Sequence, residues 1–147
     1  LDAILAGWAI AGGVTIEVIL MGKSSRLLAK FGAERLFLIA IGLAIPRWML
    51  MTMVTSPIMI VLVNAVHGIT FGMFWIAGVA LMSARAPKEV TTSAQALFAL
   101  AVGGFGSTLG VVGASWLVTS FGTLVMYQVA ALVGLMALLC GVLAVRK

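Results

Sequence analysis

Five apolar stretches, each about as long as a bilayer crossing, leave this chain few folds. They cover residues 3–22, 36–54, 58–82, 93–118 and 124–145. A hydrocarbon core about 30 Å thick takes roughly 20 apolar residues as helix. Transmembrane strands would be about 10 residues long and would alternate in polarity; these runs are longer and do not alternate. Lipid also offers no partner for a free backbone N–H or C=O, and a helix satisfies its own. The expected architecture is an all-α transmembrane helix bundle of five spans, occupying residues 1–147 as one domain. Composition agrees: 63% of the residues are hydrophobic and 9% charged, against about 25% charged in ordinary soluble domains.

The net charge of +5 is placed in a way that argues against nucleic acid as a partner. Lys23, Arg26, Lys30 and Arg35 lie between the first and second stretches, Arg85 and Lys88 between the third and fourth, and Arg146 and Lys147 after the fifth. The connections at residues 55–57 and 118–123 are uncharged. Five spans put all eight of these basic residues on one side, which the positive-inside rule makes cytoplasmic. The predicted topology is N-terminus out and C-terminus in. Residues 22–35 mix Leu27, Leu28 and Phe31 with Lys and Arg, as in a segment lying at the membrane interface or in an extension of the first helix.

Glu17, Arg47 and His67 each fall inside a different apolar stretch. A charged side chain at the bilayer centre costs about 3 kcal/mol at the least, and sequences keep one there when it faces a wet cavity or a partner. These three are the candidate coupling residues of a transporter for a polar solute or a proton. Asn64, His67, Phe71 and Phe74 follow helical spacing on the third stretch and suit a solute-facing wall. Pro46, beside Arg47, predicts a kink.

The fourth stretch carries Ala96, Ala99, Gly103, Gly106, Gly110 and Gly113 at intervals of three and four. Such a small-residue stripe predicts close helix packing, with Gly106 and Gly110 as a GxxxG pair. Thr91, Thr92 or Ser93 is expected to cap this helix. Cys140 is the single cysteine, so no internal disulfide forms, and it is expected to pack as a small hydrophobe.

Enzymatic readings are weak. His67 could act as base for Ser107 or Ser115, but the local sequence Gly113-Ala114-Ser115-Trp116 lacks a serine-hydrolase signature. There is no HExxH and no donor set for a metal, and no cofactor is expected. A scaffold or channel subunit, with polar rings completed by oligomerisation, is the second rival.

Several segments together resemble the C-terminal half of a major facilitator superfamily transporter. They are Gly13-Val14-Thr15-Ile16-Glu17; Gly22-Lys23-Ser24-Ser25-Arg26 with Phe31-Gly32-Ala33-Glu34-Arg35; Arg47; Val66-His67-Gly68-Ile69-Thr70-Phe71-Gly72; and Thr92-Ser93-Ala94-Gln95-Ala96-Leu97 followed by Gly103-Gly104 and Gly106. The resemblance spans the eighth to twelfth of the family's twelve helices and is nearest to the branch of lactose permease and the phenylpropionate transporter. It implies that Glu17 contacts substrate, that Arg47 is a coupling arginine and that His67 is a coupling histidine. Thr70 stands where lactose permease has a titrating glutamate, so the proton carrier is expected to be Glu17, His67 or a residue outside this sequence. The implied activity is proton-coupled symport of a sugar, organic acid or nucleoside by alternating access, with Asn64, Thr70, Phe71 and Phe74 lining the path. The implied partners are the bilayer, the solute, protons and missing N-terminal helices of the same protein; the implied location is a bacterial inner membrane. A start at Leu1, almost inside a helix, is expected of a piece of a longer chain.

Overall fold

The computed structural model describes residues 3–145, which form helices and no strand. They are α1 (Ala3–Gly22), α2 (Ser24–Phe31), α3 (Ala33–Met51) and α4 (Pro57–Arg85), then a 3-10 turn at Lys88–Val90, then α5 (Thr91–Ala99), a π-helical segment (Leu100–Gly106), α6 (Ser107–Phe121) and α7 (Thr123–Val145). Arg146 and Lys147, assigned above to the basic side, lie outside the described residues, as does Leu1.

Local chemistry sets the element ends. Gly32 and Gly122 take φ of +73° and +86°, a region closed to most side chains, and each separates two helices with a single residue. Ser56 caps α4 by accepting a hydrogen bond from the Met59 N–H at 3.3 Å, and Pro57 follows in the first turn, where its missing N–H costs nothing. The same proline disfavours helix in the residue before it. Helix α3 ends at Met51 rather than continuing to residue 54: the Thr52 and Met53 N–H groups donate three residues back, to the Met49 and Leu50 carbonyls, and the Thr52 hydroxyl also donates to the Met49 carbonyl at 2.7 Å, a tightened last turn of the kind that closes a helix. Pro46 lies inside α3, which is helical on both sides of it. The expected hydroxyl cap on α5 does not form. The Thr91 hydroxyl instead donates to the Pro87 carbonyl at 3.1 Å.

Helix α4 is central: α1, α3 and α5 pack on it, α7 packs on α3, and α6 packs on α7. The tightest core is Leu36, Ala40, Met73, Ile76 and Ala77, with Leu27, Leu28 and Phe31 of α2 against it. Residues 22–35 therefore contain a separate amphipathic helix, apolar face inward, with Arg26 and Lys30 exposed. Arg85 at the end of α4 meets Glu34 at the start of α3 at 2.8 Å beside it.

Three helical stretches are long and apolar enough to cross a membrane: Pro57–Arg85, Lys88–Phe121 and Thr123–Val145. Helix α1 contributes a shorter apolar piece, Gly7–Gly22. In α3, Glu34, Arg35 and Arg47 share 19 residues, which breaks its apolar run. Length and apolarity thus support three to four membrane helices rather than all five. Large apolar side chains are exposed along α1 (Trp8, Val14), α6 (Leu109, Trp116) and α7 (Leu132, Leu139). Exposed apolar surface on this scale marks contact with lipid or other helices.

Candidate functional site

The α1–α4 crossing positions the polar groups. A Cβ on Gly68 would collide with the Gly13 carbonyl oxygen and would lie 2.9 Å from its carbon. One on Gly72 would meet Leu20 Cδ1 at 3.3 Å and Glu17 Cγ at 3.6 Å. Gly68 and Gly72 are thus a working GxxxG pair, and α1 lies directly on α4 because neither carries a side chain. The four-residue spacing of Gly68 and Gly72 beside His67 is the sequence signal for this contact, fainter than the longer glycine stripe downstream.

This crossing opens into a cavity of about 280 Å³ lined by Ala9, Ile10, Gly13, Val14, Glu17, Asn64, His67, Gly68 and Phe71. A second cavity, of about 210 Å³, lies between α3 and α4 and is lined by Ala40, Ile41, Ala44, Arg47, His67, Thr70, Phe71 and Phe74. His67 and Phe71 belong to both, their rings tilted together with centroids 5.6 Å apart. The three candidate coupling residues therefore do not share a single pocket. Glu17 and Arg47 sit in separate cavities and His67 reaches each. Among the described residues the one ion pair is Arg85–Glu34, so Arg47 does not neutralise Glu17 by direct contact.

Arg47 is 5% exposed. Its Cζ stacks over the Trp48 ring at 3.9 Å, a cation–π contact, and Trp48 stacks in turn on Tyr127 of α7 at 5.9 Å. The Nε of Arg47 is buried without a hydrogen-bond partner. Thr70 is 4% exposed, and its hydroxyl donates to the His67 carbonyl at 3.0 Å. Phe74 stacks on Phe37 at 4.8 Å and tilts onto Phe98 at 5.8 Å, so one edge lines the cavity and the rest is core.

The glycine stripe behaves otherwise than its spacing predicts. Substituent positions on Gly103, Gly110 and Gly113 meet nothing within 4 Å, and one on Gly106 meets only the Ala101 carbonyl of its own segment. The π-helical segment explains part of this. Its hydrogen bonds span five residues instead of four, so positions before and after it drift off a common face. Close packing against α4 occurs instead through Phe98, whose ring occupies the space a Cβ on Gly78 would take, and through the Gln95 amide, which donates to the Ser83 hydroxyl at 2.6 Å.

The hydrolase alternative finds no geometry. The Ser107 hydroxyl donates to the Gly103 carbonyl of the π-helical segment before it, and no hydrogen bond joins Ser107 or Ser115 to His67 among the described residues. No group of three or more His, Cys, Asp or Glu among the described residues could hold a metal. Cys140 is exposed on α7 rather than packed within the chain.

Residues 2–138 match the MFS_1 like family. No curated protein and no solved structure matches the chain.

Proposed function

This chain belongs to the MFS_1-like family, and from that premise we propose that it forms part of a proton-coupled symporter of a small polar or aromatic solute. The family makes it a major facilitator-related membrane transporter chain; the coupling, the solute and the branch shared with lactose permease and the phenylpropionate transporter are our reading. One observation carries it. His67 and Phe71 form a wall common to the Glu17 cavity and the Arg47 cavity. An imidazole has two ring nitrogens and gains one positive charge with one proton, so one protonation event at His67 alters the charge presented to both spaces. Glu17 holds the proton or a solute group in the first, Arg47 holds charge in the second, and Asn64, Thr70, Phe71 and Phe74 line the route.

In this reading α1 and α3 also cross the bilayer, the α5–α6 run counts as a single span, and the N-terminus lies outside and the C-terminus in the cytoplasm of a bacterial inner membrane. Further helices of the same protein close the open side of the cavities, and the two halves rock to give alternating access.

Uptake of radiolabelled methyl galactoside, benzoate and uridine by the full-length protein in proteoliposomes under an imposed pH gradient tests this. Glu17→Gln should abolish uphill accumulation of the transported solute with abundance unchanged. His67→Ala should retain downhill exchange and lose solute-driven proton movement. Undiminished pH-driven accumulation in Glu17→Gln removes Glu17 from the mechanism.

A further inference from the structure

We propose that the cavity between α3 and α4 binds the carboxylate of a small organic acid, held by the Arg47 guanidinium; this rests on the transport reading only for how the acid crosses the membrane. Arg47 is nine-tenths buried with its Nε unpartnered, and the cavity beside it offers nothing to balance its charge. The other lining groups are apolar (Ala40, Ile41, Ala44, Phe71, Phe74) apart from His67 and Thr70. The Thr70 hydroxyl donates to the His67 carbonyl, and neither a threonine nor a histidine supplies negative charge. The acidic residues of the described chain are placed elsewhere. Glu34 pairs with Arg85, Glu89 lies in the 3-10 turn after α4, and Glu17 lines the neighbouring cavity.

A buried cation in such a place calls for an anion. The Trp48 ring covers one face of the guanidinium, and the planar edge of an arginine is suited to a carboxylate, which accepts two parallel hydrogen bonds from it. The walls then specify the rest of the ligand. A sugar or nucleoside would bring several hydroxyls into a space whose one hydroxyl already donates to the His67 carbonyl and has only acceptor capacity left, and unpaired buried polar groups are costly. A single ring or short alkyl body fits the apolar walls and the 210 Å³, and an aromatic one can stack on Phe71 or Phe74.

Equilibrium binding of radiolabelled benzoate to the purified full-length protein tests the site without requiring transport. Saturable binding is expected, displaced by cyclohexanecarboxylate but not by benzamide, its uncharged analogue. Truncating one partner of a buried charge pair predicts that Arg47→Gln weakens binding about 100-fold, with Arg47→Lys restoring part of it. Displacement by benzamide as effective as by cyclohexanecarboxylate, equal competition by chloride, or full affinity in Arg47→Gln overturns the proposal. Should Arg47→Gln not accumulate, the benzoate-against-benzamide comparison on the unaltered protein decides. Uptake of methyl galactoside or uridine without benzoate binding defeats this inference and leaves the transport reading standing. Benzoate binding without uptake of any of the three solutes does the reverse.

Discussion

Two glycine-rich regions of this molecule are put to opposite uses. At the α1–α4 crossing, Gly13, Gly68 and Gly72 let one helix backbone rest on another. Along α5, the π-helical segment and α6, Gly103, Gly110 and Gly113 are spaced for the same use, yet a Cβ added to any of them would meet no neighbouring element within 4 Å. Small residues at four-residue intervals permit close approach; they do not provide the partner. At the first site the partner comes from this chain. At the second, the stripe is left facing outward by a helix whose packing goes through Phe98, Gln95 and α7 instead.

The sharpest way to break this contrast is Gly68→Ala. The added carbon would meet α1 backbone, which cannot turn aside like a side chain, so the full-length protein in detergent should lose about 3 kcal/mol of unfolding stability, the upper part of the range for overpacking. Stability within about 0.5 kcal/mol of the parent would mean the helices can separate there at little cost. Gly78→Ala should have a smaller effect, about 1 kcal/mol, because the obstacle is the Phe98 ring. Adding Phe98→Leu should recover most of it, and a double-mutant cycle reads the coupling; no coupling would place the strain elsewhere. Gly110→Ala should change stability least, between neutral and a gain of up to about 1 kcal/mol from helix propensity. A loss as large as that of Gly68→Ala would show the stripe seated against another part of the whole protein, and the contrast would vanish.

Helix positions were legible in the sequence because long apolar runs in a chain so poor in charge have few other solutions. The 20 residues of α1 coincide with the first expected stretch, and α7 begins one residue early. The ends of α4 moved outward to Pro57 and Arg85, where a capping serine at one end and, at the other, the extended Ala86 before Pro87 set the limits rather than hydropathy. The π-helical segment was not legible, since nothing in Leu100–Gly106 distinguishes a five-residue hydrogen bond from a four-residue one. At the site, Glu17, Arg47 and His67 could be singled out by the cost of charge in lipid. Their division between two cavities could not, because it depends on α1 and α3 packing against different sides of α4. The buried state of Arg47 and its stacking on Trp48 belong to the same class of fact, decided by tertiary placement.

The meeting of Gly13 with Gly68 also has a mechanical side. Two rods in backbone contact at one level can roll about that level more readily than they can slide past it. Atoms near a fulcrum travel little and those far from it travel far. His67 is the residue next to Gly68, so pivoting α1 over α4 at that level would leave the surroundings of the imidazole nearly still and carry the N-terminal end of α1, near Ile4, furthest, while the other end stays tethered where Leu20 meets Gly72.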